Sequence, residues 1–143
     1  MNPAIMGDAN VQQAVPFFDV TDMDASLRFY AAGLGFEVTR RWIDEGRLRW
    51  CWLQLGGAAL MLQERRPGSP AGRTSAGKAG EGVSVYFICS DALAIHRELT
   101  ARGIAAARKP FVGNGMWVVP IEDPDGFRIF FESPTDAPEE TEL

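Results

Sequence analysis

The chain has 143 residues, 46 % of them hydrophobic, and its 19 acidic and 14 basic side chains give a net charge of −5. That length suits one domain, or two half-size modules sharing a core, and no apolar run approaches the ~18 residues of a membrane span. The acidic balance would repel a phosphate backbone, which argues against nucleic acid as a partner, and would attract a cationic small molecule.

The opening, MNPAIMGDANVQQ, lacks the basic and apolar regions of a secretory signal. Val15-Pro-Phe-Phe-Asp-Val20 is a strand-like run, and Thr21 with Asp24 three residues on is a capping-box signature for a helix. The helix runs to about Ala32, buries Leu27 and Tyr30, and stops at Gly33-Leu-Gly35. Strand-like segments follow at 36–42, 48–55 and 58–64, with Asp44-Glu-Gly46 and then Gly56-Gly57 between them. A Gly-Gly pair is a strong two-residue hairpin signal. Residues 65–82 are rich in Pro, Gly and Ser and carry Arg65, Arg66, Arg73 and Lys78, the pattern of an exposed and partly mobile linker.

The same grammar then recurs. Ser84-Val-Tyr-Phe-Ile-Cys89 is strand-like, Ser90-Asp91 forms a cap and first turn, and Leu93, His96 and Leu99 sit at helical spacing before Gly103. His96 at that spacing reads as a packing residue. Further strands are expected at 104–108, 116–121 and 127–132, with Asp123-Pro-Asp-Gly126 as the last tight turn. Phe111-Val-Gly-Asn-Gly-Met116 reads either as a mobile lip or as a plain connector. The tail after Pro134 is acidic and expected to fray. The units are therefore 12–64, a linker 65–82, 83–133 and a tail 134–143. Ser84 follows Val15 by 69 residues, and Phe130 follows Met61 by the same 69, which marks a tandem duplication. Two cysteines, Cys51 and Cys89, are too few for a disulfide scaffold, so a reduced cytoplasmic setting is the expectation.

Paired β-α-β-β-β modules with Val15-Pro-Phe-Phe-Asp-Val-Thr-Asp22, Phe29-Tyr30, Gly33-Leu-Gly-Phe36 and Glu122-Asp-Pro-Asp-Gly-Phe127 resemble the vicinal oxygen chelate superfamily. That group includes glyoxalase I, ring-cleaving dioxygenases and bleomycin-resistance proteins. Ala14-Val15-Pro16 makes the likeness greatest to the small, acidic, drug-binding bleomycin-resistance branch. The resemblance implies an α+β fold in which two βαβββ modules form a curved mixed sheet around a cleft, and it implies a homodimer. In the metal-using members, His, Glu or Gln from the first and last strands of each module ligate the ion. Here those positions fall on Val15, Met61, Ser84 and Phe130. Valine and phenylalanine carry no donor atom, a thioether is too soft for an oxygen site, and one serine is a poor ligand. No metal and no cofactor are expected.

Strand alternation predicts what lines that cleft instead. A two-residue Gly56-Gly57 turn pairs Leu55 with Ala58, Trp52 with Met61 and Trp50 with Gln63. Pairing Glu122 with Phe127 sets Val119 against Phe130 and Trp117 against Glu132. One face then carries Val15, Phe17, Trp50, Trp52, Met61, Gln63, Ser84, Tyr86, Trp117, Phe130 and Glu132 as candidate ligand-binding residues. Arg128 alternates onto the same side. The other carries Pro16, Phe18, Cys51, Leu53, Leu60, Leu62, Val85, Phe87, Val118, Ile129 and Phe131, suited to packing under the helices. An aromatic cleft suits a planar, hydrophobic ligand with room for positive charge, because ring faces and Glu132 both attract cations.

Three functions are compatible with this pattern. The first is a metal-independent protein that sequesters a planar, antibiotic-like small molecule. The second is a metal-independent lyase or isomerase using Glu132, its pKa raised by burial, as acid or base. The third is a regulatory or interaction subunit whose aromatic face meets another protein, since interfaces are equally rich in aromatic residues.

Overall fold

In the computed structural model, residues 9–66 and 80–143 are described. Arg73 and Lys78 of the expected linker lie outside them. The first half contains β1 (Phe17–Val20), α1 (Met23–Leu27), β2 (Glu37–Asp44), β3 (Arg47–Leu55) and β4 (Ala58–Glu64). The second contains β5 (Ser84–Ile88), α2 (Ala92–Ala101), β6 (Phe111–Gly113), β7 (Met116–Glu122) and β8 (Arg128–Pro134). Each half forms its own four-stranded sheet, ordered β1-β4-β3-β2 and β5-β8-β7-β6. The first and last strands of each half pair in parallel, and the remaining neighbours are antiparallel.

The 69-residue repeat extends to individual hydrogen bonds. Phe17 pairs with Met61 in the first sheet, and Tyr86 pairs with Phe130 in the second. Asp22 caps α1 by accepting from the Ala25 amide, and Asp91 caps α2 by accepting from the Ala94 amide. The first cap therefore falls one residue after Thr21, whose hydroxyl instead donates to Asp125 at 2.8 Å. Glu64 Oε2 accepts the Met23 amide at 2.9 Å, and Ser133 Oγ accepts the Ala92 amide at 2.8 Å. Both last strands thus tether the opening turn of their helix, satisfying amides that the helix leaves unpaired.

Three local expectations change. The first helix continues past Leu27 as a π-helical segment, Arg28–Gly33, in which the Leu34 amide reaches the Phe29 carbonyl at 2.8 Å. Residues 104–108 form no strand. Instead β6 begins at Phe111 and turns through Asn114-Gly115, both at positive φ, into β7, so of its two readings the segment is the connector, a tight hairpin. The acidic tail does not fray. Glu139 accepts the Asn114 and Gly115 amides at 2.8 and 2.9 Å, Thr141 O accepts the Val112 amide, and Phe111 bridges Glu142. The tail covers the open edge of β6, a surface that would otherwise offer unpaired amides.

The two halves share one core on the helix side of both sheets, built from residues such as Val20, Leu53, Leu60, Leu62, Val119 and Ile129. Phe18 and Phe127 stack across the joint with centroids 4.0 Å apart and planes within 8°. Tyr30 donates to Asp123 at 2.7 Å, and Arg102 donates to the Gly33 carbonyl at 2.7 Å. Burial and the adjacent Asp123 carboxylate raise the Tyr30 pKa, while burial raises that of Asp123. Both cysteines are free thiols with pKa values raised by burial, Cys51 to about 11. Among the described residues, no helix is long and apolar enough to cross a membrane.

Candidate functional site

Each sheet has a face turned away from its helix, here called the open face. In the first sheet the pairs Trp52–Met61 and Trp50–Gln63 form as the two-residue turn requires, and Phe17 pairs with Met61 on the same face. Val15 lies just outside β1, half-buried. Trp42 joins this face as the partner of Trp50, and Arg40 as the partner of Trp52. A register shift between Trp42 and Ile43 puts them there, since an unbroken ladder from the Asp44–Arg47 pair would turn Trp42 to the other face. The Arg40 guanidinium sits 5.0 Å from the Trp52 ring centroid, and the Trp52 indole donates to Gln54 at 2.9 Å. A cation of the chain already covers part of the ring surface expected to receive a ligand's charge.

In the second sheet Tyr86 and Phe130 are register partners and stack with centroids 4.6 Å apart and planes within 11°. Ser84 pairs with Arg128, and both are exposed. Ile88 and Val118 flank Glu132 in the ladder. The expected β7–β8 register is one residue out. Glu122 pairs with Arg128 rather than Phe127, so Pro120 meets Phe130 and Val118 meets Glu132. Trp117 therefore pairs with Ser133 and turns to the helix side, where it packs against the core, while Val118 moves to the open face. The cause lies in the turn. Asp123 accepts the Asp125 and Phe127 amides, both at 2.8 Å, and its own amide donates to the Phe127 carbonyl at 2.9 Å. This closed loop keeps Phe127 out of the ladder and sends its ring against Phe18.

Among the described residues, the open faces hold several of the large exposed apolar side chains. Phe17 is 52 % exposed, Trp42 50 %, Tyr86 52 % and Ile88 67 %. Trp50, Trp52, Met61 and Phe130 are half-buried on the same faces, and Gln63 is exposed. The aromatic contacts that join the halves, Phe18–Phe127 and Phe36–Phe87, lie on the helix side. The two open faces are thus aromatic surfaces presented outward. The half-buried Glu132 sits among apolar neighbours, and its desolvation raises its pKa.

The four positions at which the resemblance implies metal ligands do not fit a metal here. Val15 and Phe130 offer no donor, Met61 offers sulfur, and Ser84 a single hydroxyl beside the Arg128 strand position. The Phe130 ring is committed to the stack on Tyr86. Among the described residues, no group of three or more His, Cys, Asp or Glu side chains could hold a metal ion.

No match to this chain is found among curated proteins. Several solved structures share its fold. TnmS3, an antibiotic binding protein from Streptomyces sp. CB03234, superposes with a TM-score of 0.67 at 21 % identity, covering 89 % of this chain and 99 % of its own. TioX from Micromonospora sp. ML1 gives 0.65 at 22 % identity, with 88 % and 98 % covered. A glyoxalase/bleomycin resistance protein from Catenulispora acidiphila DSM 44928 gives 0.63 at 27 % identity, with 85 % and 96 % covered. The family model of the Glyoxalase/Bleomycin resistance protein/Dioxygenase superfamily matches residues 16–131, which span both sheets and their helices. With the duplicated βαβββ halves, this makes the chain a member of the Glyoxalase/Bleomycin resistance protein/Dioxygenase superfamily.

Proposed function

We propose that this protein sequesters a planar, hydrophobic, antibiotic-like small molecule on its open sheet faces, without a metal, as a homodimer. The observation that carries the reading is the half-exposed Tyr86–Phe130 stack, together with Phe17 and Trp42 on the same side of the repeat. Stacked rings left half-open to water are a surface on which a further ring gains contact area and sheds solvent. A second copy laid against these faces would enclose the ligand and bury side chains a monomer leaves wet. The antibiotic-binding description of TnmS3, a protein of the same fold, supports the ligand class. Positive charge on the ligand is favoured beside Tyr86, Phe130 and Glu132, and disfavoured beside Trp52, where Arg40 already sits.

The test is a tryptophan-quenching titration of chelator-treated protein with bleomycin-type and other planar drugs. Saturable quenching that weakens at least tenfold in Phe130→Ala, with light scattering giving a dimer mass, is the expected result. Absence of saturable quenching with an unchanged melting temperature overturns the reading.

The raised pKa of Glu132 favours a second reading, an enzyme in which this carboxyl acts as acid or base. Glu132→Gln would then abolish turnover of a compound that wild type both binds and converts. Equal turnover rates would remove it.

A further inference from the structure

The 69-residue repeat gives each half a twin contact on the helix side of the joint, and the two have diverged. On one side Phe127 stacks on Phe18, Asp123 accepts from Tyr30, and Asp125 accepts from Thr21. The twins of Phe127, Phe18, Tyr30, Thr21 and Asp125 are Ala58, Phe87, Leu99, Ser90 and Gly56, and Leu55 takes the ladder place of Asp123. None of the three latches has a twin made of these groups. Instead all six residues line a cavity of about 810 Å³ between the halves. Phe36 touches Phe87 only at 5.6 Å and a 58° tilt, and Phe87 stays half-buried where Phe18 is 3 % exposed.

We infer that this cavity, which reaches Tyr86 and Ile88 at the edge of the second open face but none of the first face's tryptophans, is a second ligand site that takes an uncharged planar aromatic molecule in the place Phe127 fills on the twin side. The aromatic character follows from Phe87, whose counterpart Phe18 is covered by a parallel ring. The neutrality follows from the lining. Its charged members, Glu98 and Arg102, bond each other at 3.4 Å, and Arg102 also donates to the Gly33 carbonyl. The volume lies within the ~300–1,000 Å³ typical of small-molecule sites. Cys89 lines the same cavity and reports on its occupancy.

The probe is N-phenyl-1-naphthylamine, neutral and aromatic, followed by its fluorescence on titration with the full-length protein. Wild type and Trp50→Ala bind it saturably at one site per chain, while Ala58→Phe, which rebuilds the twin's plug, binds at least tenfold more weakly and melts higher. In wild type the bound probe slows alkylation of Cys89 by N-ethylmaleimide at least threefold, a readout that does not depend on the variant folding. No saturable binding by wild type, equal binding by Ala58→Phe, or unprotected Cys89 at saturation each overturns the inference. Loss of probe binding in Trp50→Ala but not in Ala58→Phe also overturns it, by placing the probe on the open faces.

Discussion

Phe127→Ala tests how the halves are joined. Phe127 is 8 % exposed and lies flat on Phe18 at 4.0 Å, so the change removes a buried ring and one partner of a parallel stack. Aromatic-to-alanine changes in cores cost about 3–5 kcal/mol, and the stacking share is about 0.5–1.5 kcal/mol of that. The Asp123 loop survives the change, because its bonds to residue 127 use backbone groups. The twin position carries Ala58, so the fold tolerates an unfilled joint. A loss of about 4 kcal/mol follows, or roughly 12 °C in Tm at about 3 °C per kcal/mol for a chain of this size. Urea unfolding followed by circular dichroism measures it as a lower midpoint at unchanged slope. A loss below about 1 kcal/mol would refute the claim that this stack holds the halves together.

Further expectations concern the buried charge, the corrected register and the docked tail. Glu64 accepts from Arg47 at 2.7 and 2.8 Å, from Arg49 at 3.1 Å and from the Met23 amide, and the Arg47 hydrogen bond leads in lowering its pKa. A carboxyl depressed in the fold stabilises above the unfolded value of about 4.3 and loses that contribution as pH falls through its folded pKa. Glu64→Gln should cost about 2–3 kcal/mol at pH 7, below the usual range for a broken buried pair because Arg47 is 56 % exposed. Its urea midpoints should fall less steeply than those of wild type between pH 5 and 3, and parallel acid curves would contradict this. Trp117→Ala should lower stability by about 3 kcal/mol yet leave the drug titration unchanged, since Trp117 packs on the helix side. A tenfold loss of drug affinity there would return Trp117 to the ligand face. Glu139→Ala should release the tail and speed hydrogen exchange at the Val112 amide, which the Thr141 carbonyl accepts.

Much of the fold was legible in the sequence because local signals agreed with one another. The strand runs, the helix start at Ser90-Asp91, the Gly56-Gly57 hairpin and the 69-residue offset all depend on residues close in sequence, and the ladder of β3 with β4 follows from that turn alone. Two of the misplacements share a cause, a single residue inserted into or omitted from a ladder. The five-residue Asp123–Phe127 loop, closed by one carboxylate, moved Trp117 and Val118 to opposite faces. The irregularity after Trp42 brought a fourth tryptophan into play that simple alternation leaves out. Neither has a composition signal strong enough to set a register of period two. The tail was misread because its anchors, Glu139 and Thr141, meet amides more than twenty residues away in sequence. The spent latch at Ala58 is visible only once both halves are aligned in three dimensions.

The most direct test of the binding account is the electron density of chelator-treated protein crystallised with the drug that quenches most tightly. The account predicts a planar ring system against the Tyr86–Phe130 stack, enclosed by a second copy of the chain, with no metal ion at Val15, Met61, Ser84 and Phe130. A drug bound away from the open faces, or a metal ion ligated at those four positions, would contradict it.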